Sequence, residues 1–346
     1  MELDARKIRI LKAIIDEYIM SASPVGSRFI SKRGDFNLSS ATIRNEMADL
    51  EELGYLEQPH TSAGRVPSDK AYRLYVDHML GRAQLTNDEI QVIRAHMSSR
   101  IDEVEAIIRQ TAQALSAVTN YTAMVLPPVL SASRLKHVQL LPLREGRALL
   151  VVITNTGFTR DAVIRIPEDM GYEELERISN MLTKRYEGCR MDLVGERIVR
   201  EMGDELFERR EFLNSMVETI ERKLSPGAVS VELSGTTNLL HYPEYSDLNK
   251  AKSFLAAIEG RDTLYRMLRK ASRLEFTITI GDENESEPLK DCSVLTATYR
   301  VGDEPLGSFG IIGPTRMHYG KVLSVLEYMR MSLSEMLSNY IEEEKH

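Results

Sequence analysis

The stretch "LSSATIRNEMADLEELGYLEQPHTSAGRVPSDKAYRLY", residues 38–75, contains a helix start, a helix stop, a short extended run, a loop of small residues with one arginine, and a second helix start. Ser39 suits the N-cap position because a short side-chain oxygen there can accept a free N–H of the first turn. Leu38 before it and Ile43 at the fourth helical position make a hydrophobic staple. Ile43, Met47, Leu50 and Leu53 recur at helical spacing as an inward stripe, and Gly54 stands where a C-cap glycine belongs. "YLEQ" is strand-like, "HTSAGR" is a loop, and Ser68 caps a helix running through Tyr72, Val76 and Met79.

Working outward, residues 4–21 form an amphipathic helix with Ile8, Leu11, Ile15, Tyr18 and Ile19 on one stripe. "SASPVGS" stops it, a short helix fits Ser27–Arg33, and "GDFNLS" is a turn. Three helices followed by a strand–loop excursion are the order of a winged helix-turn-helix.

On the helix that starts at Ser39, the face opposite the apolar stripe carries Ala41, Arg44, Asn45 and Ala48. Small residues let a helix enter the major groove closely. Arg44 can fork onto the O6 and N7 of guanine, and Asn45 onto the N6 and N7 of adenine. The hydroxyls of Ser39, Ser40 and Thr42 at the exposed helix start suit phosphate. Arg28 and Lys32, with Arg33, supply backbone positioning from the preceding helix. In the loop, Gly64 allows a tight bend, Ser62 and Ala63 add no bulk, and Arg65 is the one cation at the tip. A slim loop with one arginine suits a narrow minor groove or a phosphate pair. A solvated amphipathic helix and an ordinary surface loop are the commoner objects, and the combination of helix and wing favours DNA.

From Thr86 to about Thr119 the pattern is helical, opened by a capping box of Thr86 and Glu89. Ile90, Ile93, Met97, Ile101, Val104, Ile108 and Leu115 allow a helix-pair seam between subunits, while packing onto the chain's own sheet is the plainer expectation. Residues 135–166 give three strands in a meander. Residues 169–224 are helical and highly charged. Beyond 228 strands and helices alternate, and a long helix closes the chain from about His318 to Glu343. A helical block between two halves of an α+β domain indicates an insertion.

The length of 346 residues calls for two or three domains, and 42% hydrophobic with 28% charged residues is ordinary for a globular protein. No apolar run approaches the roughly 20 residues needed to span a bilayer. The charged start "MELDARKIRILK" lacks the apolar stretch of a signal peptide, and Cys189 and Cys292 form no disulfide or zinc pattern. A cytoplasmic location is expected. The net charge of −8, with 11 Lys+Arg against 12 Asp+Glu in residues 1–80, excludes indiscriminate coating of nucleic acid. Any DNA face must come from local arrangement. The seven histidines are scattered, with no H-E-x-x-H, Cys/His cluster or G-x-S-x-G, so neither an enzyme nor a metal or other cofactor is expected. "GSFGIIGPTR" (307–316) is a strand and turn, with phosphate binding the lesser alternative. "GDENESEP" (281–288) is a solvated hairpin loop without the glycine and closing glutamate of a calcium loop.

The chain resembles the HrcA heat-inducible transcription repressors. The resemblance rests on "LSSATIRNEMADLEELGYLEQPHTSAGRVPSDKAYRLYVD" and on "LKDCSVLTATYR…LGSFGIIGPTRMHYGKV", and it covers essentially the whole chain. "ATIR…LEELGYL" alone is also similar to DeoR-type repressors, whereas "PHTSAGRVPSDKAYR" and "GIIGPTRM" separate the two. Where family members often carry Ile-Pro-Thr-Asp and a glycine before the Tyr-Arg pair, this chain has Val66-Pro67-Ser68-Asp69 and Ala71.

The resemblance implies an α+β multidomain protein: a winged-helix DNA-binding head over 1–85, a GAF-like domain over 86–168 and 225–346, and an inserted dimerisation segment over 169–224. It implies a homodimer that represses chaperone operons from an inverted-repeat operator called CIRCE, releases it on heat shock, and reaches its active form with a GroEL-type chaperonin. The alternative is a DeoR-like winged-helix regulator whose GAF-like domain senses a metabolite.

Overall fold

A computed structural model describes residues 3–33, 36–61, 63–81, 83–97, 104–128, 134–155, 159–202, 209–224, 231–272, 274–302 and 304–343. The chain begins with α1 (Ala5–Ser21), α2 (Ser27–Lys32) and α3 (Ser40–Glu52). Asp4 caps α1 by accepting the N–H of Lys7 at 2.7 Å. The buried arc of α1 comprises Ile10, Leu11, Ile14, Ile15 and Ile19. Ile8, expected on that stripe, lies at its margin and is 36% exposed.

Ser39 caps α3, accepting the N–H of Thr42 at 3.1 Å. The other end is closed by two crossed bonds, Gly54 N–H to the Glu51 carbonyl (2.9 Å) and Tyr55 N–H to that of Leu50 (2.8 Å). Ile43, Met47 and Leu50 are buried as their spacing requires, and Leu53 is half-buried. A hairpin follows, with β1 (Leu56–Glu57) antiparallel to β2 (Val66–Pro67), Leu56 opposite Pro67 and Glu57 opposite Val66. Arg65 extends this ladder by exchanging two 2.9 Å backbone bonds with Val25, in the segment between α1 and α2. Gly64 serves close approach and not the expected bend: a Cβ there would fall 2.5 Å from the Val25 carbonyl. The short helix α4 (Asp69–Leu74) is capped by Ser68 and continues as one wider turn through Tyr75–Met79.

The helical region expected up to Thr119 is two helices packed on each other, α5 (Asn87–Met97) and α6 (Val104–Thr119). Ile101, placed on a continuous seam by its spacing, lies outside the described residues. The capping box that opens α5 is present in both directions, Thr86 N–H to Glu89 Oε2 (3.0 Å) and Glu89 N–H to Thr86 Oγ1 (3.3 Å). Then come β3 (Thr122–Val125), the strands β4 (Leu135–Leu143), β5 (Arg147–Thr154) and β6 (Thr159–Arg165), and the helices α7 (Tyr172–Tyr186), α8 (Met191–Met202) and α9 (Arg210–Leu224). The chain ends with β7 (Glu232–Ser234), α10 (Leu248–Glu259), α11 (Arg261–Ala271), β8 (Phe276–Ile280), β9 (Cys292–Val301), β10 (Glu304–Pro314) and α12 (Tyr319–Glu343).

The protein is thus a mixed α+β, multidomain chain. Five strands form one antiparallel sheet in the order β7-β3-β10-β9-β8, leaving β7 and β8 as edges. The alternation along these strands sends Leu295, Ala297, Phe309 and Ile311 to the face that meets α6 and α12. It sends Val294, Cys292 and Ile312 to the face covered by α10 and α11. The first of these cores is continuous with α1, α3 and α4 of the head.

The meander β4-β5-β6 is a separate sheet. Its inner face, with Val138, Leu140, Leu150, Val152 and Ile164, forms one core with Leu175, Ile178, Leu182, Val194, Phe212 and Met216 of α7–α9. A boundary at 168/169 would therefore divide a sheet from the helices that cover it. Sequence periodicity identifies the strands but not the sheet they join.

Candidate nucleic-acid interface

Helix α3 turns Ala41, Arg44, Asn45 and Ala48 to solvent, on the side away from Ile43, Met47 and Leu50. Among the described residues no carboxylate pairs with Arg44. The hydroxyls of Ser39 and Thr42 lie 2.9 Å apart and are used in the cap, so they hold the helix start in shape. Ser40 is half-buried as the first helical residue. On α2, Arg28 and Lys32 are exposed, together with Phe29 between them. Arg33, just beyond, reaches the carbonyl of Ala13 at 3.4 Å.

In the hairpin loop Gln58 Nε2 donates to the carbonyls of Thr61 and Ala63, each at 3.1 Å. Arg65, expected as the cation of this loop, is ion-paired. It is the last loop residue before β2, and its guanidinium is held by Glu51 in the last turn of α3. Its partner lies 14 residues earlier, and nothing local to the loop betrays the pairing.

One feature of this face has no counterpart in the sequence reading. Glu46 is a buried carboxylate on α3, and Lys7 of α1 bridges Glu46 Oε2 (2.8 Å) and Asp49 Oδ2 (3.0 Å), with Arg6 3.4 Å from Glu46 Oε1. The hydrogen bonds to Glu46 and Asp49 raise the Lys7 pKa well above its ordinary value. Arg6, Lys7 and Arg65 together offset the charges of Glu46, Asp49 and Glu51. A chain of net charge −8 thereby keeps local acidity away from the cationic start of α3.

A cleft lined by Tyr121, Thr122, Leu239, Tyr242, Ile312, Gly313 and Pro314 holds about 150 Å³, part of it open solvent. Tyr121 and Tyr242 stack across it with ring centroids 5.3 Å apart. Metabolite pockets begin at roughly 300 Å³. Among the described residues no group of three His, Cys, Asp or Glu is placed to hold a metal ion, and no helix is long and apolar enough to cross a membrane.

Residues 105–323 match the family model described as the HrcA protein C terminal domain. The chain belongs to the HrcA family. Heat-inducible transcription repressor HrcA of Acetivibrio thermocellus is 42% identical, over 99% of this chain and 98% of its own. That of Brevibacillus brevis is also 42% identical, over 98% and 99%. A crystal structure at 2.2 Å resolution, described as that of a hypothetical protein, shares the fold: TM-score 0.67, 26% identity, 98% of this chain and all of the other. This places the chain among the heat-inducible transcription repressors of the HrcA family, and whole-length similarity to them sets aside the DeoR-like alternative.

Proposed function

We infer that this chain is a winged-helix repressor that reads an inverted-repeat operator of the CIRCE type as a homodimer in the cytoplasm. The observation that carries this reading is the exposed quartet Ala41, Arg44, Asn45 and Ala48 on the far side of α3 from its buried stripe. Small residues flank two side chains able to bind base edges bidentately. In this reading α1–α3 are the helix-turn-helix and β1–β2 the wing. Arg28, Lys32 and the hydroxyl-rich start of α3 (Ser39, Ser40, Thr42) position the backbone, and Arg65 orders the wing. The GAF-like domain comprises residues 86–133 and 225–346.

The dimerising insert runs from 134 to 224, with β4–β6 as part of it. The outer face of that sheet supports an assembly role. Leu141, Leu149 and Val163 stand side by side across the three strands, with Leu143 nearby, and Leu141, Leu143 and Val163 are exposed. A twofold pairing of copies would carry two α3 helices to the two arms of a palindrome. Heat would release the operator by weakening the dimer or the docking of its heads, and a GroEL-type chaperonin would restore the active form.

The test is fluorescence anisotropy of the purified protein on a labelled CIRCE-type duplex and on one with a single arm scrambled, at about 0.15 M salt. A large preference for the intact repeat is expected. Equal binding to both, with or without added chaperonin, rejects the reading.

A further inference from the structure

Two arginines outside α3 join the head to the α+β domain. Asp69 and Arg73, one helical turn apart on α4, face the turn between β8 and β9. Arg73 donates from Nε to Glu283 Oε1 (2.8 Å), and from Nη2 to Glu283 Oε2 (2.5 Å) and to the carbonyl of Ile278 (2.7 Å). Its Nη1 reaches Asp77 Oδ1 at 3.2 Å. Because β8 is an edge strand, the Ile278 carbonyl has no neighbouring strand to accept from, and Arg73 supplies the missing donor. Asp69 Oδ2 accepts the N–H of Asp282 at 3.1 Å.

The turn is built to receive them. Gly281 has φ +54°, and a Cβ on it would fall 1.6 Å from Asp69 Oδ2. Glu283 is held in place by the N–H of Ile280 at 2.9 Å. Asn284, buried behind it, donates to the carbonyls of Gly281 (3.0 Å), Leu289 (3.0 Å) and Cys292 (2.8 Å). The stretch expected to be a solvated hairpin loop joins β8 to β9 with Asp282, Glu283, Glu285, Glu287 and Pro288 exposed, but Gly281 and Asn284 are buried and it receives Asp69 and Arg73 of α4.

A second contact lies at the end of α1. Arg316, 8% exposed, follows β10 and donates from Nη1 to the carbonyl of Ile19 at 3.0 Å. That carbonyl belongs to the last turn of α1, where no intrahelical N–H is available. Glu244 grips the Nε and Nη2 of Arg316, and the Tyr242 ring lies 5.6 Å from its guanidinium carbon.

The geometry points to Arg73 and Arg316 as positioning residues for operator recognition: two struts that fix the orientation of α3 relative to the α+β domain. A dimer of such chains then presents its two reading helices at one separation. This rests on the operator-binding reading above. Ordinary interdomain ion pairs between flexible side chains would not need a cleared glycine, a buried asparagine behind the turn, or an arginine already gripped by Glu244.

Two measurements on the full chain test it. Spin labels at Glu52→Cys and Leu274→Cys, both exposed sites, report the head-to-domain distance without DNA, in protein diluted with unlabelled chain. The wild type should give one narrow distribution that broadens in Arg73→Ala and in Glu283→Ala. On operators with one base pair added or removed at the centre, wild type should lose at least about tenfold in affinity, and Arg73→Ala less than about threefold, with single-arm binding unchanged. An unbroadened distribution in both variants, or a spacing penalty in Arg73→Ala equal to wild type, overturns the proposal. If wild type shows no preference for an inverted repeat, the operator reading fails and the distance distributions still decide the struts.

Discussion

Arg65 donates from Nε (2.8 Å) and Nη2 (2.7 Å) to a single oxygen of Glu51, Oε2, and so ties the loop end of the β1–β2 hairpin to the last turn of α3. The side chains are 18% and 34% exposed, sheltered enough for the pair to hold a geometry. This pair fastens the residue before β2 to α3.

That pairing makes a definite prediction. Arg65→Ala and Glu51→Ala should weaken operator binding to similar extents, and the double variant should be little worse than either, with a coupling of about 1 kcal/mol. A direct phosphate contact by Arg65 gives a different pattern: only Arg65→Ala would lower the salt dependence of binding, and Glu51→Ala would leave affinity unchanged or raise it.

Arg44→Ala and Asn45→Ala should each cost roughly 1–3 kcal/mol of operator binding and relax preference at one position in each half-site. Both side chains are exposed, so melting temperatures should stay at the wild-type value. Competition binding against single-base operator variants reads this out. Unchanged base preference in both variants means that another face of the head reads DNA.

Gly64→Ala places a methyl group against the backbone of Val25 and Pro24. Neither is the yielding end of a side chain, so the hairpin must move away from the α1–α2 segment at a cost of about 1–3 kcal/mol. Urea denaturation measures the loss, and hydrogen exchange at the Val25 and Arg65 amides should locate it. A variant as stable as wild type contradicts the close approach.

Partial burial, then the charges of Lys321 and Arg316, hold the His318 imidazole below its ordinary 6.5. Below that pH the unfolded chain takes up this proton more readily than the folded one, so acid favours unfolding. The contribution is complete above about pH 6.5 and is lost as pH falls toward the folded value. Thermal melts should show a shallower decline in stability from about pH 7 to about pH 5.5 in His318→Gln than in wild type. Identical slopes would remove His318 as the group responsible.

Leu141→Asp combined with Val163→Asp puts charge in the middle of the exposed apolar face of the meander, leaving its inner face intact. Sedimentation should show dimer for wild type and monomer for the variant, with matching circular dichroism. A variant that stays dimeric moves the interface elsewhere.

What the sequence reveals and what it hides divide by distance along the chain. The Ser39 cap, the close of α3 at Gly54 and the Thr86–Glu89 box are local exchanges between neighbouring residues, and all are visible as spacing. The strands β4–β6 are equally plain, yet a meander looks the same whether it extends the main sheet or stands apart with α7–α9. Ile8 and Ile10 are equally apolar, and only the position of α3 selects the second. The partners that position the candidate face are remote: Glu46 lies 40 residues from Arg6, Glu283 lies 210 from Arg73, and Glu244 lies 72 from Arg316. No local pattern encodes such pairings, so "GDENESEP" reads as a solvated loop.

The apolar core that passes without a break from Ile10 and Leu11 through Tyr72 to Tyr319 and Met329 bears on how the molecule takes up heat. The rings of Tyr72 and Tyr319, 6.0 Å apart, lie where head and last helix meet, and both residues are almost wholly buried. A head that melted alone would leave Tyr319 and its neighbours facing water, so head and α+β domain are expected to melt as a single cooperative unit. The meander β4–β6 with α7–α9, which has a core of its own, is the second. Scanning calorimetry should resolve two endotherms and not three. Under the dimer reading proposed above, β4–β6 with α7–α9 would be the segment free to melt first, with each α3 still folded.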